Sequence, residues 1–148
     1  MKVEFRYGKV NGKFKWIKKP DQIAKDIINS DARLFMANEA KRLMDPYVPA
    51  DELMLARNIN LYADEEHGVV EYISPYAHYQ YMGELYVSSK TGSPFASEGE
   101  YKVPTGKKLN YQTFRHSLAT DHWDQAMMVA RKGDLTRAMQ NHLKRGKK

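Results

Sequence analysis

Between Glu71 and Val87 the chain reads "EYISPYAHYQYMGELYV". Five of its ten tyrosines, Tyr72, Tyr76, Tyr79, Tyr81 and Tyr86, fall in this one stretch. It has too many polar tips for a hidden core strand, where every hydroxyl needs a partner. It has too many rings for an ordinary exposed loop. Pro75 breaks the stretch early and Gly83 breaks it late. This punctuation predicts a short helix or turn through "PYAHYQYMG" that ends at Gly83, with "ELYVSS" returning to a strand. No Lys or Arg stands between Glu71 and Ser89. A platform that stacks nucleic-acid bases interleaves cations with its rings. The belt therefore suits protein contact, where Tyr supplies area, a small entropy cost and a polar tip.

A chain of 148 residues is most simply one domain, here 1–148, and is large enough to bury a real core. It has no cysteine, which removes disulfides, thiol catalysis and thiolate metal sites. No apolar run approaches the ~20 residues of a membrane span. The start "MKVEFRYGKV" is charged and alternating, unlike a signal peptide. The protein is expected in a cytoplasm or in a particle assembled there. Its net charge of +6 permits contact with nucleic acid or another acidic surface. The charge is uneven: "KVNGKFKWIKK" and the tail "LKRGKK" are basic, and "YADEEHG" is acidic. The plain reading of both basic segments is solvated surface.

The segment "VEFRYGKVNGKFKWI" alternates around Asn11-Gly12, a strong hairpin signal because both positions tolerate positive φ. It predicts strands at 2–10 and 13–18, a hairpin arm over 1–19. Pro20 and Asp21 open a long helix, with Ile23, Ile27, Leu34, Met36, Ala40 and Leu43 on its apolar side and a slip of phase near Asn29-Ser30. The helix must stop by Asp45, because Pro46 disfavours helical geometry in the residue before it. "LMLARNINLYAD" and "HGVVEYIS" read as paired strands joined by a turn from Asp64 to Gly68. "KTGSPFASEGEYKVPTGKK", residues 90–108, reads as a long loop of the functional or mobile kind. Thr120 is a candidate cap for a last helix carrying Trp123, Met127 and Ala130. Gly133 is expected to interrupt that helix, and Asp134 to restart it with Leu135, Ala138, Met139 and Leu143 inward. The expected class is α+β: an N-terminal hairpin, a long helix, a small mostly antiparallel sheet and a C-terminal helix. The α+β core spans 20–145, and 144–148 form a basic tail.

The histidines do not make a catalytic pattern. His116 and His122 are six apart, His67 and His78 stand by themselves, and no His-x-x-x-His pair carries a nearby Glu. Glu65-Glu66 reads as a solvated tip. The serines lie in loops without a base or oxyanion signature. No GxxxxGK[ST] or GxGxxG is present. The expectation is no catalytic residue, no metal and no cofactor.

"MDPYVPAD", "LARNINLY", "VEYISPYAHYQYMGELYV", a Gly/Pro loop, "GKKLNY" and "DHWDQAM" together resemble the small minor capsid proteins of tailed bacteriophages and prophages. That group is similar to the head–tail joining (neck and tail-completion) proteins of long-tailed phages. The resemblance runs from about Ile23 to Met139. Its most specific pieces are Pro46-Tyr47-Val48-Pro49 before an acid, Pro75-Tyr76-Ala77 with Tyr79-Gln80-Tyr81 and Gly83, and His122-Trp123. The chain departs after Asp51, where "ELMLARN" stands in place of the family's Thr-Gly and Leu-Arg. The acid and Ala56-Arg57-Asn58 still match.

The resemblance implies a structural virion protein without catalysis, an α+β subunit of a homo-oligomeric ring between head (portal or adaptor) and tail proteins. Such a protein would assemble in the host cytoplasm and end at the head–tail junction of the virion, with no membrane partner. The implied interface comprises Tyr47, Tyr76, Tyr79, Gln80, Tyr81, Met82, Tyr86 and Phe95, and the 90–108 loop becomes an arm that orders on assembly. Lys144, Arg145, Lys147 and Lys148 become candidate non-specific contacts to packaged DNA. The alternative is a small basic nucleic-acid-binding module.

Overall fold

The computed structural model describes residues 1–6, 29–50 and 54–145, with Met54 described for its backbone only. The expected turn at Asn11-Gly12, the helix start at Pro20-Asp21, Asp51, Lys147 and Lys148 lie outside those residues. The class is α+β.

Alternating apolar positions build the first sheet. Strand β1 (Lys2–Phe5) and strand β2 (Ile59–Ala63) flank strand β3 (Gly68–Tyr72), all antiparallel, in the order β1-β3-β2. Val3 pairs with Val70 and Phe5 with Gly68. Ile59 pairs with Tyr72 and Leu61 with Val70. The period of two therefore puts Val3, Phe5, Val70 and Tyr72 into the core, with Ile59 and Leu61 packed against it. Asp64 makes the β2–β3 turn: its Oδ1 accepts from the N–H groups of Glu66 and His67.

Helix α1 (Ser30–Met44) covers this sheet. Ala32, Met36, Ala37, Ala40, Leu43 and Met44 are buried along one stripe. Two expectations need correction here. Asn29 is extended (φ −84°, ψ −177°), and its side chain accepts from Ala32 N at 2.9 Å. The phase slip at Asn29-Ser30 is thus a helix start with an N-cap, not a flaw inside one long helix. Leu34, expected inward, is 38% exposed, because it lies off the stripe that Met36, Ala40 and Leu43 define. The α-helix ends at Met44 as expected, but not for the expected reason: Asp45, before Pro46, is itself helical (φ −49°, ψ −44°), and the chain runs on into a 3-10 turn (Asp45–Tyr47) that has Pro46 in its first turn.

After a short helical turn α2 (Met54–Arg57), β2 and β3, helix α3 (Ala77–Met82) ends at Gly83 in the left-handed region, φ 72°. Strand β4 (Glu84–Ser88) then pairs antiparallel with strand β5 (Lys102–Lys108) as a separate two-stranded sheet. The expected 90–108 loop is therefore too long: its last seven residues are a strand. Val87 faces Val103 and Ser88 faces Lys102. Thr105 Oγ1 donates to Leu85 O at 2.7 Å, and Glu84 Oε1 accepts from Gly106 N at 2.6 Å. Those side-chain bonds support a strand whose own composition, "KVPTGKK", has little β-propensity.

Helix α4 (Trp123–Arg145) is continuous. Gly133 does not interrupt it, because that position faces open space and Asp134 pairs with both Arg131 and Arg137 across it. Trp123, Met127, Leu135 and Met139 form its buried row, and Leu143 packs against the core. Ala130 is exposed. Thr120 lies three residues before the helix and donates its N–H to Tyr47 O at 3.0 Å. The helix entry is His122, at φ 43°, whose carbonyl accepts from Gln125 N and Ala126 N. Helix α4 packs on α1, where His142 stacks on Phe35 at 4.0 Å between ring centroids.

Candidate functional site

The segments with the most specific sequence signature meet at the N-terminus of α4. Tyr47 O accepts from Thr120 N, and His116 Nδ1 lies 2.7 Å from Val48 O. Because that carbonyl only accepts, His116 carries its proton on Nδ1. Tyr81 O accepts from His122 N at 2.9 Å, and Tyr81 Oη donates to Asp124 Oδ1 at 2.7 Å. Tyr111 Oη donates to Gln80 O at 2.6 Å. Trp123, fully buried, takes Tyr72 and Tyr81 edge-on at 5.3 and 5.1 Å. Tyr81, its carbonyl and the Gln80 carbonyl are thus committed to holding this hub together.

The phenols of the hub hold their protons. Burial, then the Asp124 hydrogen bond and charge, pushes Tyr81 well above the ordinary tyrosine range. Burial, then Asp121, pushes Tyr111 up to about 12. The unfolded chain loses these protons near pH ~10 while the folded chain keeps them. Their contribution is fully present below pH ~10 and drains away as pH rises from there toward the folded values. The urea midpoint is therefore expected to fall from about pH 10 upward. Tyr81→Phe should make that fall shallower. An unchanged slope in Tyr81→Phe would contradict the assignment.

A second cluster forms where α3 meets the β4–β5 hairpin. Tyr79 and Tyr86 lie 5.0 Å apart, and His78 sits 5.6 and 6.3 Å from them. Lys102 Nζ stands 4.6 Å over the Tyr79 ring. The belt has no cation of its own in sequence, but strand pairing brings one to it across the hairpin. Half-buried rings here fix the base of the hairpin to the body.

The tip of the hairpin is ordered by its own polar groups. Ser88 N and Ser89 N donate to Ser93 O and Tyr101 O, and Gly92 N donates to Ser88 O. Ser88, buried, donates its hydroxyl to Glu100 Oε2 at 2.6 Å, and the same oxygen accepts from Ser97 N. On this folded loop Phe95 is 76% exposed and Tyr101 70% exposed. The loop from 89 to 101 is thus tied to β4 and to itself by hydrogen bonds.

The structure sorts the expected interface residues into groups. Tyr47 packs against the core, and Gln80 and Tyr81 are half-buried in the hub. Tyr79 and Tyr86 belong to the hairpin cluster. Tyr76, Met82 and Phe95 are exposed. Lys144 and Arg145 are exposed at the end of α4. Exposed Tyr101, Phe114 and Leu118 lie in polar contexts that read as loop, and Val129 lies in the apolar run Ala126–Ala130, so none stood out in sequence as a displayed side chain. His67 is not by itself: among the described residues, Glu4, Asp64 and His67 bring ligand atoms within 4.8 Å of one another. Turn N–H groups already occupy Asp64 Oδ1, and His67 Nδ1 lies 3.3 Å from Asp64 Oδ2, so the trio reads as a hydrogen-bonded turn.

No family model, no curated protein and no solved structure matches the chain. No helix among the described residues is long and apolar enough to cross a membrane.

Proposed function

We propose that this protein is a structural, non-catalytic component of a tailed phage or prophage particle, a minor capsid or neck subunit that joins head to tail. The observation that carries the reading is the β4–β5 hairpin. Tyr79, Tyr86 and Lys102 cluster beside it, its loop is bonded internally, and two large aromatic side chains on that loop face solvent. Preformed protruding aromatics are the usual anchors of protein assembly. The residues that resemble the minor capsid family support the reading further, since Tyr47, Tyr81 and Trp123 meet in one hub. In this reading the hub builds the subunit and the arm joins it to a neighbour, within a ring between portal and tail.

The Lys102–Tyr79 contact favours one alternative, a small basic nucleic-acid-binding module. Salt separates the two: phosphate contacts weaken steeply as salt rises, whereas contacts through Tyr and Met do not.

The deciding experiment is electron microscopy of a lysate from the source phage or prophage lacking this gene. DNA-filled heads beside separate finished tails are expected. Intact, infectious particles would overturn the reading.

A further inference from the structure

Strand register decides which way each main-chain group of the first sheet points. Asn58 O accepts from Ile73 N and Asp64 N donates to His67 O, in the same register that pairs Asn60 with Glu71 and Tyr62 with Val69. In an antiparallel ladder each residue turns its N–H and C=O to one side, and the side alternates along the strand. Asn60 and Tyr62 therefore bond to β3. Ile59, Leu61 and Ala63 turn their groups outward, because β2 is the end strand of the order β1-β3-β2. None of these outward groups has a hydrogen-bond partner among the described residues.

Other edges are guarded. By the same alternation β1 turns Lys2 and Glu4 outward, since Met1 O accepts from Tyr72 N. Strand β5 carries Pro104 with Lys102, Lys107 and Lys108. Charge and proline on an edge are how sheets refuse another strand. Strand β2, "INLYA", has neither, and it pairs with β3 without a register shift. Ile59, Leu61 and Ala63 are half-buried. The edge is thus an open ladder beside partly covered apolar side chains.

Charge at the two ends selects the occupant. The edge runs from exposed Arg57 to exposed Glu65, and neither is in an ion pair among the described residues. The acids beside Glu65 are engaged: Asp64 accepts from the N–H groups of Glu66 and His67, and Glu66 pairs with Arg6. A strand laid antiparallel on β2 meets a cation with its C-terminal end and an anion with its N-terminal end. It must be neutral between a leading cation and a trailing anion, which is the order of β2 itself.

We propose that the β2 edge is a self-association site, at which two copies of this chain pair β2 with β2, antiparallel, about a two-fold axis between their Leu61 residues. Leu61 then faces Leu61, and Ile59 faces Ala63 on each side of the axis. This register bonds every outward N–H and C=O of Ile59, Leu61 and Ala63, whereas a slide of two residues leaves some of them open. The axis stands perpendicular to the sheet, so both α1 helices lie on one face and the strand order becomes β1-β3-β2-β2-β3-β1. Arg57 of each copy comes beside Glu65 of the other. The contact is isologous and closes on itself. It describes the free protein and stands apart from the head–tail reading.

The test is sedimentation of the purified full chain over a range of concentrations. The 17.2 kDa chain is expected to associate reversibly to a dimer and no further. Ala63→Pro removes an outward N–H and no bond to β3, so it is expected to be monomeric with the circular dichroism of wild type. Arg57→Glu and Glu65→Arg change exposed side chains. Each by itself is expected to weaken the dimer on the order of 10-fold, and the two together in one chain should restore it.

A monomer at every concentration would overturn the proposal, whether or not a strand of another protein takes the edge. A dimer that survives Ala63→Pro in a folded chain would place the contact elsewhere and overturn it too. So would charge variants that leave the dimer unchanged, or a double reversal that fails to recover it; these two results decide the matter even where Ala63→Pro does not fold.

Discussion

Trp123→Ala is expected to destabilise the protein by ~4 kcal/mol, the largest effect of any single side-chain truncation considered. Trp123 is fully buried and is the first residue of α4. It supports two tyrosines edge-on, Tyr72 from β3 and Tyr81 from α3. Removing the indole leaves a cavity that neither ring can fill. Tyr72 is held by strand pairing with Ile59, and Tyr81 is tied through its carbonyl to His122 and through its hydroxyl to Asp124. Domains of this size have roughly 5–15 kcal/mol in total, so the variant should lose a large share of its stability. Urea unfolding gives the size of the loss, and near-ultraviolet circular dichroism should lose its aromatic signal. Trp123→Phe keeps an edge-on partner for both tyrosines and should cost about half as much. Equal losses for Ala and Phe would mean that the ring contacts contribute nothing.

Gly68→Ala should cost ~3 kcal/mol by overpacking rather than by a cavity. Gly68 begins β3, opposite Phe5 and Ala63, at the place where the sheet comes closest to α1. A Cβ there would stand 2.2 Å from Arg33 O, 3.1 Å from Ala37 N and 3.3 Å from Ala37 Cβ. The nearest atom is a backbone carbonyl inside a helix, which cannot rotate away. The helix must lift from the sheet and loosen the core in which Phe5 and Ala37 are buried. Trimming Ala37 does not relieve a clash with Arg33 O, so Gly68→Ala with Ala37→Gly should be no more stable than Gly68→Ala. Recovery in the double variant, read by the urea midpoint, would show that Ala37 rather than the carbonyl sets the limit. A Tm within a degree or so of wild type for Gly68→Ala would contradict the close approach itself, since a loss of 1 kcal/mol already moves Tm by ~2–4 °C in a domain of about this length.

Much of the fold was legible in the chain because local punctuation acts locally. Gly83 ends α3 in the left-handed region, as an expected terminator does. Helix α1 stops before Pro46. The turn signal from Asp64 to Gly68 between Ile59–Ala63 and Gly68–Tyr72 reads directly as paired strands. Trp123, Met127, Leu135 and Met139 keep one helical face whatever Gly133 does. The Asn29 cap was not legible: a phase slip fits a fault inside one long helix equally well, and only the extended backbone of Asn29 and its bond to Ala32 N make it a helix start. Strand β5 was not, because Lys, Pro, Thr and Gly do not form a strand by propensity. Pairing with β4 and the bonds from Thr105 and Glu84 hold it there.

The candidate site was legible as a composition and not as a surface. The sequence alone determined that five tyrosines sit close together, that Pro75 and Gly83 cut their segment into helix and strand, and that the class is α+β. Those properties depend on φ/ψ preferences and on periods of a few residues. Only the tertiary structure decided which rings are structural and which are displayed. Tyr81 is committed by an aspartate 43 positions away, Tyr79 gains its cation from across a hairpin, and Phe95 and Tyr101 are raised on a loop that bonds to itself. Burial and charge pairing are sums over neighbours in space, so residues far apart in the chain settled them.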